Sequence, residues 1–124
     1  MCGIAGIFHY ETVKPVDPKR VERMTDALAH RGPDGSGVWT APGVGLGHRR
    51  LSIIDLDGSP QPMRSADGRA VIAFNGEIYN YRELRQQLAN LGHRFQSDSD
   101  TEVLVEGYKR WGINMLQRFH GMFA

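Results

Sequence analysis

The chain has 124 residues, 40% of them apolar, with 15 basic against 14 acidic side chains and a formal net charge of +1. That length allows one compact domain with one core, and the balanced charge gives no polyelectrolyte signal for nucleic acid or an anionic membrane. A single cysteine excludes an internal disulfide and a multi-cysteine zinc site and fits a reducing compartment, so a cytoplasmic protein with a small-molecule partner and no metal is expected.

That cysteine is Cys2, which becomes the first residue if the initiator methionine is removed. It then carries both a thiol and a free α-amine. An amino terminus titrates near ~7.7 to 8.0, so around neutral pH a fair share of the amine can take a proton, directly or through one water, as the thiol attacks a carbonyl. Position alone is weak support, because a second-position cysteine can also be accidental.

The run from Gly3 to Tyr10 is β-prone and carries two glycines, which predicts a buried first strand delivering Cys2 to a sheet edge. It is too short for a signal sequence or a membrane span. Asp17 reads as an N-cap with Pro18 at the first helical position, and Val21, Met24 and Leu28 predict an amphipathic helix ending near His30. His30 to Gly37 reads as a glycine-rich loop that lacks the Lys-Ser/Thr ending of a phosphate-binding loop, and the alternation of Gly43, Gly45 and Gly47 lacks the dinucleotide spacing. Tight turns and closely packed strands explain both.

Val44 to His48 and Leu51 to Asp55 read as β segments on either side of Arg49 and Arg50. Adjacent strand residues point to opposite faces, so one arginine is expected inward and the other in solvent. A polar loop from Asp57 to Arg69 leads to a buried strand, Ala70 to Phe74. Asn75-Gly76 is a strong hairpin signal, yet little room remains for a return strand before Asn80 and Glu83 open a helix as a capping box. Leu84, Leu88 and Leu91 form its stripe, and Gly92 ends it. Ser99 and Glu102 form a second capping box, opening a helix from Thr101 to Trp111 with Val103, Leu104, Tyr108 and Trp111 inward. A short turn near 114–118 then leads into Gly121 to Ala124, the start of another buried strand. Asp98 and Asp100 are both available acids, and Asp100 is also a natural first-turn helix residue.

Five segments in this order resemble the glutaminase domain of class II glutamine amidotransferases, the N-terminal-nucleophile type, and most closely its asparagine synthetase subgroup. They are MCGIAGIF at 1–8, HRGPDGSG at 30–37, RRLSIID at 49–55, FNGEIYN at 74–80 and SDTEV at 99–103. The resemblance implies an α+β fold, a four-layer αββα sandwich with two antiparallel sheets, of which residues 1–124 are the N-terminal portion, truncated at the C-terminus. It implies Cys2 as the nucleophile on the side-chain amide of L-glutamine, releasing ammonia and then glutamate through a glutamyl thioester. It further implies an oxyanion hole from the Asn75 side chain and the Gly76 N–H, with Arg50 on the substrate carboxylate and Asp100 on its ammonium. Backbone around Leu51 and Ile53 and at Glu77 completes the pocket; Arg49 and the five histidines take no role.

In the resembled enzymes ammonia passes to an ATP- and Mg2+-dependent synthetase domain that activates aspartate. This chain lacks that domain's Ser-Gly-Gly-x-Asp-Ser loop, so no cofactor is expected here. Some relatives act in polysaccharide or peptide pathways, which leaves the acceptor open, and a different N-terminal-nucleophile hydrolase or a non-catalytic fragment are the rival readings. A sheet that has lost its partner is expected to leave the isolated chain marginally stable or self-associated, for instance as a homodimer.

Overall fold

A computed structural model describes residues 2–51 and 60–124. The expected segment around Ile53 and Asp55 lies outside the described residues. The chain divides into two compact units, the first running to Pro62 and taking in Ala73–Asn75, the second holding Met63–Ile72 and Gly76–Ala124. The class is α+β, and every strand pair described is antiparallel.

In the first unit, β1 (Gly3–Phe8), β2 (Gly35–Ala41) and β3 (Val44–Arg50) form a sheet in the order β1-β3-β2. A two-residue turn, Pro42-Gly43, joins β2 to β3, with Gly43 at φ 80, where a side chain is strained. Helix α1 (Pro18–Asp26) starts as expected: the Asp17 carboxylate accepts the Lys19 N–H at 3.0 Å and Pro18 opens the first turn. The helix packs on all three strands. A Cβ on Gly45 would meet Val16 and Val21, and one on Gly47 would meet Thr25, so these bare positions are what admit α1 to the sheet. Val21 and Thr25 are fully buried there, and the Thr25 hydroxyl is satisfied by donating to the Val21 carbonyl at 2.7 Å.

Several expectations are corrected in this unit. β1 ends at Phe8, and it is not buried: Phe8 is 73% exposed and Ile4 faces the same way. α1 stops at Asp26, four residues early, with turns carrying the chain to Arg31. The glycine-rich stretch is not all loop, because β2 begins at Gly35. Nor is the arginine pair a gap between strands, since β3 runs through Arg50.

In the second unit, β4 (Met63–Arg64) pairs with β5 (Val71–Ile72), and β6 (Gly76–Ile78) pairs with β7 (Gly121–Phe123). The helices are α2 (Tyr81–Asn90) and α3 (Asp100–Trp111), followed by a 3-10 segment, Gly112–Arg118. Leu84 and Leu88 of α2 are buried as expected, and α2 packs on α3, where Val103, Leu104 and Val105 are buried. The buried carboxylate of Glu106 is compensated by His93 Nδ1 at 2.7 Å and Lys109 Nζ at 3.1 Å.

Here the local sequence grammar and the structure part at several places. Only Val71 and Ile72 of the expected Ala70–Phe74 strand are paired, and both are half-buried. Asn75-Gly76 makes no hairpin, in keeping with the little room left for a return strand, and β6 pairs with the distant β7. Asn80 precedes α2 but does not cap it by its side chain; that amide instead donates to Arg118 O at 2.9 Å and accepts from His120 N at 2.9 Å. Ser99 caps α3 through Thr101 N, but Glu102 turns away from Ser99 to take the Gln96 and Ser97 N–H groups. Leu91, Tyr108 and the β7 residues are exposed rather than inward, because the buried stretch of α3 ends at Gly107.

Candidate functional site

The ladder between β1 and β3 sets Gly3 opposite Arg49, which brings Cys2 to the end of β3. Leu51 follows that strand, and its N–H lies 3.4 Å from the Cys2 sulfur while its carbonyl accepts from the thiol at 3.9 Å. The backbone of one residue therefore seats the thiol through both its N–H and its carbonyl. The Cys2 carbonyl accepts a bond from Arg31 Nε at 3.2 Å, within the HRGPDGSG segment. The residue is half-buried: held, yet open to a small molecule.

Alternation along the strands decides between the two arginines. Gly45 and Gly47 face α1, and Gly3 faces the same side, against Leu28 just past the helix, so His48, Arg50 and Cys2 belong to the opposite face. Arg49 is committed to the helix side, with Nε on the Thr25 carbonyl at 3.3 Å and Nη2 on Asp26 at 2.8 Å. Arg50 is thus the arginine that shares a face with the thiol. Its own carbonyl accepts the Asp34 N–H at 3.0 Å, which ties the glycine-rich loop to the strand.

Asn75 also belongs to the first unit. It follows Phe74, whose carbonyl meets His48 Nε2 at 3.1 Å and whose N–H donates to Gln61 Oε1 at 2.6 Å. Burial is the main cause that lowers the His48 pKa, and the Arg50 charge adds to it against the raising effect of the Phe74 bond.

Gly76, Glu77 and Asp100 belong to the second unit. Gly76 sits at φ 156 with its bare Cα against Met122 O and Phe123 of β7, so no side chain fits there. Asp100 opens α3, and its carboxylate accepts the Ile78 N–H at 3.3 Å, binding β6 to the helix start. Burial raises its pKa, and burial followed by the Asp100 charge raises that of Glu77. Asp98, the rival acid, is fully exposed and pairs with Arg85 at 3.4 Å. Sequence reasoning had no use for His48 and Gln61; the one signal for His48 was its place two residues before Arg50 on a single strand face. Among the described residues no cluster of acids, histidines and cysteine could hold a metal, and no helix is long and apolar enough to cross a membrane.

A family model described as the glutamine amidotransferase domain matches residues 1–124. The chain is 40% identical over 126 residues to the glutamine-hydrolysing asparagine synthetase 3 of Bacillus subtilis, an alignment covering 100% of this chain and 20% of that protein. It is 37% identical over 124 residues to the glutamine-hydrolysing asparagine synthetase B of Escherichia coli, covering 100% of this chain and 22% of the relative. Its structure resembles the glutamine phosphoribosylpyrophosphate amidotransferase of B. subtilis, complexed with ADP and GMP, with a TM-score of 0.74 at 25% identity, over 98% of this chain and 34% of that one. The chain spans about a fifth of the length of these curated relatives.

Proposed function

The chain belongs to the glutamine amidotransferase domain family, and from that premise we propose that it hydrolyses the side-chain amide of L-glutamine through a thioester on Cys2. The carrying observation is the thiol seated on the Leu51 peptide, on the strand face it shares with Arg50. With Met1 removed, the α-amine takes the thiol proton as sulfur attacks the amide carbon. The Asn75 side-chain amide and the Gly76 N–H stabilise the oxyanion, a contribution of about 3 kcal/mol for one such donor. Return of the proton to nitrogen lets ammonia leave, and water then cleaves the thioester to glutamate. Arg50 binds the substrate carboxylate through its fork, Asp100 the ammonium, and backbone at Leu51, Ile53 and Glu77 the remainder.

The relatives' names join glutamine hydrolysis to asparagine synthesis. The ammonia released here accordingly serves an ATP-activated acceptor, aspartate, on a synthetase domain outside these residues, in the cytoplasm. Residues 1–124 form the amino-terminal portion of the glutaminase domain and need no cofactor of their own.

Intact mass before and after exposure to a diazo-ketone analogue of glutamine tests the reading. We expect loss of Met1 and one adduct on Cys2, blocked by excess glutamine; a processed chain that stays unmodified overturns it. A second expectation concerns pH. Because burial raises the Asp100 pKa above its ordinary 3.8, the carboxylate loses its charge, and its hold on the ammonium, at a higher pH than a free aspartate does. Glutamine KM should therefore climb on acidification before an ordinary carboxylate titrates. The stability effect has the opposite sign: a raised pKa gives stability that is full below 3.8 and lost as pH rises through the folded value. Asp100→Asn should flatten both trends, read by KM and by melting temperature across pH; an unchanged KM profile removes Asp100 from the ammonium site.

A further inference from the structure

We propose that His48 and Gln61 are positioning residues for Asn75, gripping the backbone C=O and N–H of Phe74, one on each of its flanking peptides, so that the next side chain is held in place for the oxyanion. The inference rests on the reading of Asn75 as an oxyanion donor. Ala73–Asn75 lies between two short ladders, β5 ending at Ile72 and β6 beginning at Gly76. The aim of Asn75 is therefore fixed from outside the strands, at the residue just before it. His48 Nε2 stands 3.1 Å from the Phe74 carbonyl, and Gln61 Oε1 receives the Phe74 N–H at 2.6 Å. With the peptides on both sides of Phe74 held, the one that joins it to Asn75 resists rotation and keeps that neighbour aimed.

The chemistry of each partner suits the task. A carbonyl only accepts, so the bond requires a proton on Nε2, and a buried ring beside Arg50 gains nothing from a second proton. His48 is 2% exposed and Phe74 6%, which shields the bond from competing water. Gln61 is kept in reach by Gly37, the residue opposite His48 in the β2–β3 ladder: a Cβ there would run into the Gln61 carbonyl. One end of the grip is thus a strand residue two positions from Arg50, on the face that Cys2 shares.

The test is a kinetic cycle on glutamine hydrolysis by the full chain. Loss of an oxyanion donor typically costs about 10²- to 10³-fold in kcat, so a donor left unaimed by His48→Leu should cost about 10- to 100-fold, with KM within about twofold. His48→Gln carries an amide N–H at the place of Nε2 and should recover most of the loss. In an Asn75→Ala background, His48→Leu should cost no more than about twofold further, because the two act as a unit. If His48→Leu does not fold, His48→Gln and Gln61→Leu carry the same cycle, and Gln61→Leu should also speed hydrogen exchange at the Phe74 amide. Losses that add in full, a glutamine variant as poor as the leucine one, or a change confined to KM overturn the grip while leaving the thioester reading intact. An Asn75→Ala protein with normal kcat overturns the oxyanion reading, and the inference with it.

Discussion

On the proposed mechanism, replacement of Cys2 by alanine should abolish glutamine hydrolysis, a fall of roughly 10³-fold or more in kcat, since loss of the nucleophile leaves only binding and oxyanion contacts to act. Glutamate release measured by a coupled assay reads the change. The informative companion is a chain that keeps one extra residue ahead of Cys2. Its thiol is intact, but the nitrogen is now a peptide nitrogen that cannot accept a proton, and loss of a positioned base typically costs about 10²- to 10⁴-fold. Its glutamine KM should stay near that of the processed chain, because the groups assigned to the amino-acid end, Arg50 and Asp100, are untouched. Full activity in the extended protein would assign the base to another group.

Gly47→Val should damage the fold severely. A Cβ at Gly47 collides with the Thr25 hydroxyl and comes within 3.2 Å of Thr25 Cβ and 3.4 Å of Val21 Cγ1, and both of those residues are fully buried. Valine adds two further carbons in the same direction, so α1 must lift from β3 or the strand must bend. Overpacking of this kind costs about 1 to 3 kcal/mol, and a polar atom displaced from its partner adds to it. We expect a loss of about 3 kcal/mol and a fall in melting temperature on the order of 10 °C. Gly35→Ala is the control on the same sheet: its Cβ meets only Arg50 Cβ, at an ordinary 3.5 Å, and the change should stay within about 0.5 kcal/mol. Equal effects at the two positions would refute close helix packing as the reason for Gly47.

Signals confined to neighbouring residues were legible. The Asp17-Pro18 start of α1, the Leu84 and Leu88 stripe and the Ser99 cap all appear where the spacing puts them. What failed depended on atoms distant in sequence. Asn80 carries every local mark of a cap, yet its amide is taken by Arg118 and His120, 38 and 40 residues away. Glycines at 35 and 37 read as loop because β-propensity scores side chains, whereas what makes Gly37 fit is the Gln61 peptide pressed against it. In the site, the sequence motifs named Cys2, Arg50 and Asn75, and the strand alternation separates Arg50 from Arg49 on physical grounds. His48 and Gln61 were invisible, since a lone histidine or glutamine has no spacing to betray a bond to a peptide 26 or 13 residues off.

The order of strands in the first sheet carries a consequence for how Cys2 comes to its place. β2 and β3 are joined by a two-residue turn and can pair early at little entropic cost, whereas β1 must close a loop of several tens of residues to reach β3. Cys2 meets the Leu51 N–H only once that pairing of higher contact order is made. On that order Cys2 stays unseated through the earlier stages of folding, and its placement against Leu51 becomes a mark that the sheet has closed.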